Sequence, residues 1–191
     1  MFNEKYKGEK CYWGEEPDKI LKLVLKHKKT GEVLDLGVGE GRNALFLAQN
    51  GFKVTGVDIS KVAIKKFKML AISKNLKVIG LNEDIRNFEF SKKYDIIIST
   101  ATLHFFKKRE IKKLINNIKK NTRENGLNVI SVFTEENPNK NFPYLFKKGE
   151  LKSHYEDWNV LKYGEFITSL EKHGKEGKWH RHGVALIVAL N

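Results

Sequence analysis

Three glycines at alternate positions, Gly37, Gly39 and Gly41, follow an apolar run that carries Asp35, and an apolar segment of helical spacing begins directly after them. Glycines in such a place let the backbone turn sharply and let a ligand approach main-chain N–H groups with no Cβ in the way. The start of the following helix adds unpaired N–H donors and the positive end of its dipole. A carboxylate suits that end. Asp58 lies 21 residues beyond Gly37 at the close of a second apolar run, where an acid can accept both hydroxyls of a ribose. Asp84, in NEDIRNF after a third run, can accept from an adenine amino group or serve as a turn residue.

The chemistry implied is that of a nucleoside bearing an amino-acid end. A dinucleotide is the rival ligand, but its fingerprint places the third glycine three positions after the second. Here that interval is two, and Glu40 stands inside the loop, awkward beside a pyrophosphate and tolerable beside a ribose and a sulfonium. S-adenosylmethionine (SAM) is therefore the expected cofactor. Its expected contacts are Tyr12, Trp13, Asp35, Gly37, Gly39, Gly41, Arg42, Asp58, Ile59, Asp84, Ile85 and Thr100. Arg42 opens the helix after the loop and could pair with the cofactor carboxylate, reach the substrate, or be a surface arginine. Tyr12 and Trp13 lie in an N-terminal segment that must pack somewhere, and both rings can anchor the core.

A second group of chemical residues comes later. His104 follows the fourth apolar run, at the edge where α/β proteins bind ligands, and as a lone histidine it reads equally as structural. His173, His180, Arg181 and His182 fall within ten residues of one another before the last run. Cationic and titratable groups so close together can hold an anion, and a histidine near its ordinary pKa can take a proton from a weakly acidic substrate. These five are the candidate catalytic residues. His180 and His182 share one face of an extended segment and with His173 could instead ligate a metal; a solvated loop is the third possibility, and no metal is expected. Phe142, Pro143 and Tyr144 read as an apolar lid after the fifth strand or as plain packing.

The elements that must position these groups alternate strand and helix, the pattern of a parallel sheet with helices on both faces. Strands are expected at 32–37, 53–57, 76–81, 94–100 and 127–134. Helices are expected at 43–50, from Ser60 as N-cap through about Lys74, and at 107–122. Thereafter 147–158 reads as helical, 159–166 as extended and 183–190 as a last strand. The short connection between those last two strands implies an antiparallel hairpin at the sheet edge. A single domain spanning 1–191, α/β and Rossmann-like, is the expectation, although periodicity alone also permits a flavodoxin-like fold.

Composition narrows the function classes. The net charge of +13 raises nucleic-acid binding, yet 31 of the 36 basic residues are lysines, spread over helices such as KKREIKKLINNIKK as solvated faces. No specific nucleic-acid partner is expected. One cysteine, Cys11, excludes an intrachain disulfide. No apolar run reaches membrane-spanning length and the N-terminus lacks a signal-peptide pattern, so a cytoplasmic protein with no membrane partner is expected. The sequence leaves the oligomeric state open. An RNA- or DNA-associated SAM protein and a noncatalytic nucleotide-binding module remain as alternatives.

VLDLGVGEGRNALFLA resembles motif I of class I SAM-dependent methyltransferases. With YWG at 12–14, YDIIISTATLHFF, GLNVISVFT, FPYLFKKGEL and LEKHGKEGKWHRH, nearly the whole chain resembles the tellurite-resistance methyltransferases of the TehB type. Val38 stands where that family commonly has cysteine. The resemblance implies a class I methyltransferase fold, a mostly parallel sheet finished by a C-terminal antiparallel hairpin. It also implies an N-terminal segment closing over the cofactor, and methylation of a small, soft, anionic nucleophile such as tellurite or selenite. STATLHFF lacks the proline-containing motif of amino-methyltransferases, and Cys11 lacks the neighbouring proline of cytosine C5 enzymes.

Overall fold

The computed structural model describes residues 2–8, 10–172 and 177–191, in two compact units. The first, up to Glu89, holds helices α1 (Phe2–Lys5) and α2 (Leu21–His27), then β1 (Glu32–Leu36), α3 (Arg42–Gln49), β2 (Lys53–Asp58), α4 (Lys61–Ser73) and β3 (Val78–Asn82). Its strands run in the order β3-β2-β1, all parallel, with Leu34 opposite Thr55 and Gly56 opposite Gly80. Val33, Leu34 and Leu36 of β1 are buried, as expected of a strand covered on both faces. On α4, Ala63, Ile64, Phe67 and Ala71 recur at helical spacing and bury one face, and the helix packs on β2 and β3. Ser60 caps it, its hydroxyl accepting from the Ala63 amide at 3.1 Å. α1 and α2 had no counterpart in the sequence reading.

The second unit, Phe90–Lys172 with Lys178–Asn191, holds β4 (Tyr94–Thr100), a 3-10 turn (Leu103–Phe105), α5 (Lys108–Lys120), β5 (Thr122–Phe133), α6 (Glu150–Ser153), β6 (Asn159–Ile167) and β7 (Gly183–Leu190). β4 and β5 are parallel; β7 lies between β5 and β6 and is antiparallel to both. The expected hairpin is therefore present, with Ile167 opposite Gly183. Ile111, Leu114, Ile115 and Ile118 bury one face of α5. Glu110 reaches back to accept the Lys107 amide at 2.8 Å, and two lysines close the last turn against the dipole. β6 carries charged residues and is largely solvent-facing, suited to an edge.

Two expectations are corrected. Helical structure in 147–158 is confined to the single turn of α6, with turns after it. β5 begins at Thr122 instead of 127: Tyr94 pairs with Thr122, the register shifts, and Ile96 then pairs with Leu127. The intervening bulge passes through Asn125 at φ 58° and is held by buried side chains. Tyr155 Oη donates to Asn128 Oδ1 at 3.1 Å, Asn128 Nδ2 donates to Thr122 Oγ1 at 2.7 Å, and Thr122 Oγ1 donates to the Ile118 carbonyl at 2.8 Å. No helix among the described residues is long and apolar enough to cross a membrane.

Candidate cofactor and substrate residues

In the first unit the loop between β1 and α3 is shaped by its own hydrogen bonds. The Gly37 and Val38 amides donate to the Val57 carbonyl at 2.8 and 3.1 Å, and the Gly41 amide donates to the Val38 carbonyl at 2.9 Å. The Gly39 amide donates to Asp58 Oδ2 at 2.9 Å, and the Ser60 amide to Asp58 Oδ1 at 2.8 Å. The glycines have different reasons. Gly41, at φ 91° as N-cap of α3, leaves room for the Phe67 ring, which a Cβ would meet at 2.2 Å. Gly39, at φ 55°, lies against the Tyr6 hydroxyl, 3.2 Å from where a Cβ would stand. Four loop amides are thus engaged in holding the loop, and the acids Asp35 and Asp58 are buried beside it.

Asp35 is 3% exposed, and burial, with Asp18 and Asp58 adding like charge, pushes its carboxyl up to about 7. Burial also raises Asp58, against the opposing pull of the Ser60 and Gly39 amides. Asp84 is a turn residue, its carboxylate bonded to the Arg86 guanidinium, which holds it below the usual carboxylate range. Ile85 is buried and Ile59 exposed. Arg42 pairs with Asp18 at 2.8 Å, and Asp18 also exchanges two bonds with Asn43, so this arginine ties the N-terminal segment to the start of α3.

Tyr12 and Trp13 are brought to the loop by residues the sequence reading did not single out for contact. The Tyr12 amide donates to Glu40 Oε2 at 2.7 Å, and Lys66 Nζ donates to Glu40 Oε1 at 2.6 Å and to the Gly8 carbonyl at 2.7 Å. Trp13 Nε1 donates to the buried Tyr6 hydroxyl at 3.2 Å, and the Tyr12 and Trp13 rings meet edge-to-face at 4.8 Å. Glu40 therefore belongs to the N-terminal strap. An aromatic among charges, Tyr6 in NEKYKGEK, was the available signal.

In the second unit, Thr100 ends β4 and Ala101 turns at φ 52°, its amide donating to the Ser131 carbonyl and hydroxyl at 3.0 and 3.1 Å. His104 follows, fully buried. Its ring stacks on Phe133 at 3.9 Å and 11°, and His182 stacks on Phe133 at 4.3 Å and 8°, with Phe142 edge-on to His104 and Phe133. Two nearly parallel rings in contact with one phenyl ring must lie on its opposite faces. Burial, with a smaller contribution from His182, lowers His104 to about 3, so it is neutral. Its Nε2 is buried with no hydrogen-bond partner among the described residues, a state that costs about 1–3 kcal/mol.

His180 meets His182 edge-on at 4.7 Å, with its Nδ1 2.7 Å from the Lys178 carbonyl. Arg181 is exposed. His173 lies outside the described residues, and among those described no three metal-ligating side chains gather. Phe142 covers the stack, while Tyr144 turns its hydroxyl to Glu150 at 2.6 Å. The sequence reading thus found both histidines of the stack but neither Phe133 nor Asn137, whose side chain reaches His182 (Asn137 Nδ2 to His182 Nδ1, 3.2 Å). The N-P-N pattern at 137–139 marks a turn and was the only signal.

An acid-flanked glycine loop between parallel strands, with an antiparallel strand inserted before the edge, is the fold of class I SAM-dependent methyltransferases. Magnesium protoporphyrin IX methyltransferase from Synechocystis with bound SAM shares it, at a TM-score of 0.67 and 19% identity over 90% of this chain and 76% of that one. The crystal structure of TehB from Haemophilus influenzae superposes on all of this chain and 65% of its own, at a TM-score of 0.84 and 28% identity. A probable SAM-dependent methyltransferase TehB of H. influenzae is 33% identical over 161 residues, 83% of this chain. The chain spans 56% of that relative's length. The family model described as tellurite resistance protein TehB matches residues 2–186, and the chain belongs to that family.

The residues present fit SAM. Among the described residues each Asp58 oxygen accepts one amide N–H, which leaves a lone pair on each that would suit the ribose hydroxyls. Asp35 and Asp58 bury acidity that welcomes a sulfonium and an ammonium and opposes a pyrophosphate. The first turn of α3, at the positive end of its dipole, would suit the cofactor carboxylate.

Proposed function

We propose that the protein binds SAM on the first unit and transfers its methyl group to a small, soft, anionic nucleophile of the tellurite or selenite kind. The observation that carries the reading is the pair of buried acids, Asp35 and Asp58, around a loop whose amides are already engaged. SAM, when bound, supplies an activated methyl on a sulfonium for in-line displacement, so the protein needs to position and desolvate the reactants. In this reading Asp58 holds the ribose, Asp35 offsets positive charge, and Tyr12 and Trp13 cover the cofactor. Gly37, Gly39 and Gly41 shape the loop, and Arg42 keeps the strap in place through Asp18.

The substrate falls to His104, His180, Arg181 and His182, with His173. The stack of His104, Phe133 and His182 offers an apolar, polarizable wall with N–H donors at its edges, suited to a large soft anion. The protein acts on a small molecule and uses no specific nucleic-acid partner. Methyl-labelled SAM incubated with the purified protein and a panel of tellurite, selenite, thiols and RNA tests this. Label in a methylated chalcogen or thiol product is expected, with a rate that falls strongly in the variant His182→Ala/Arg181→Ala while SAM affinity stays near wild type. Label in RNA alone overturns it.

A further inference from the structure

The turn after β5 holds a buried side chain that neither the loop chemistry nor the stack accounts for. Asn137 has no exposed surface, and its amide group is held at both ends. The Asn139 main-chain N–H donates to Asn137 Oδ1 at 3.1 Å, which identifies that end as the oxygen. The other end is therefore the NH2 group, and it faces His182 Nδ1 at 3.2 Å. An N–H directed at a ring nitrogen requires a lone pair there, so the proton of His182 sits on Nε2. The Asn137 backbone is fixed as well, its amide donating to the Thr134 carbonyl at 2.9 Å. Gly183, next to His182, comes so close that a Cβ would meet the Asn137 nitrogen at 2.6 Å.

The same assignment holds across Phe133. Its main-chain N–H donates to His104 Nδ1 at 3.2 Å, which puts the His104 proton on Nε2 too. We infer that Asn137 is a positioning residue that locks His182 as the neutral Nε2–H tautomer, so that His104 and His182 together present two N–H donors and no base. The substrate class follows, resting on the proposed methyl transfer: a site of neutral donors stabilises an acceptor and removes no proton. It takes a nucleophile that arrives already deprotonated, an oxyanion or thiolate, which forms its bond to the methyl carbon as the carbon–sulfur bond of the sulfonium breaks and the electron pair returns to sulfur.

Nitrogen-15 spectra of histidine-labelled full-length protein without ligand read the tautomer directly, independently of whether methyl transfer occurs. His182 should show a protonated Nε2 and a bare Nδ1 at neutral pH; a protonated Nδ1, or rapid exchange between tautomers, overturns the inference. Asn137→Asp keeps the oxygen that Asn139 needs and turns an acceptor toward the ring. It should move the proton to Nδ1 and slow kcat by about tenfold with KM for SAM unchanged. An unchanged spectrum, or a KM for SAM that worsens as much as kcat, defeats it. His182→Gln retains an N–H donor, and in that background Asn137→Asp should have little further effect; an undiminished effect also overturns the inference, and the wild-type spectrum decides if the aspartate variant does not fold.

Discussion

At the scale of single residues, the loop acids are the most consequential groups because burial sets their protonation. Asp35, pushed up to about 7, holds its proton through most of the weakly acid range. A cofactor that brings a sulfonium and an ammonium favours the carboxylate and drives that proton off. SAM binding at about pH 6.5 should therefore release part of a proton, measured calorimetrically in buffers of different ionisation enthalpy, and Asp35→Asn should abolish the release. Proton-neutral binding in the wild type would remove Asp35 from the cofactor's surroundings. The acids and the loop were legible in the sequence because the motif is local: Asp35, the three glycines and Asp58 lie within two dozen residues. Tyr12 on Glu40 and Asn137 on His182 were not, since chain separations of 28 and 45 residues leave no periodic trace. Arg42 shows how a partner can be hidden from a local reading. A basic residue opening a helix after the loop invites a ligand role, yet its partner is Asp18, which no local pattern links to it.

At the scale of elements, strands buried on both faces and amphipathic helices announced themselves: β4 runs over 94–100 as its apolar sequence implies, and α5 buries the isoleucines and leucine spaced along it. β5 was misjudged at its start because a polar stretch, TRENG, joins the strand through side-chain bonds instead of hydrophobic alternation. The Tyr155–Asn128–Thr122 relay is what holds that stretch. Tyr155→Phe removes the donor to Asn128 Oδ1 and leaves a buried acceptor unmet, so unfolding in urea should show a loss of about 1–3 kcal/mol. A variant as stable as wild type would mean that the bulge is held by backbone pairing alone. The short helices α1 and α2 escaped notice for a related reason. Neither is long enough to display a helical period, and α1 is anchored by Asn3, which accepts the Ser60 hydroxyl at 2.7 Å.

For the whole molecule, two buried groups set opposing responses to acid. Native Asp35 keeps its proton up to about pH 7, whereas in the unfolded chain it is lost near 3.9; between these values the native state binds more protons, and stability falls as pH rises. Native His104 accepts a proton only near pH 3, whereas in the unfolded chain it does so near 6.5; there the unfolded state binds more, and stability falls as pH drops. From about pH 4 to 6.5 the two contributions oppose each other. Asp35→Asn should therefore expose a midpoint in urea that falls on acidification across that window, and His104→Phe the reverse slope; parallel profiles in the two variants would contradict these protonation states. The insertion of β7 between β5 and β6 has a separate consequence for biosynthesis. β6 leaves the ribosome before the strand it pairs with exists, so it has no place in the sheet until β7 follows. The nascent second unit must remain open, with β5 showing an unpaired margin, until Gly183–Leu190 has emerged, and during that interval it is a natural client for chaperones that shield unpaired strands.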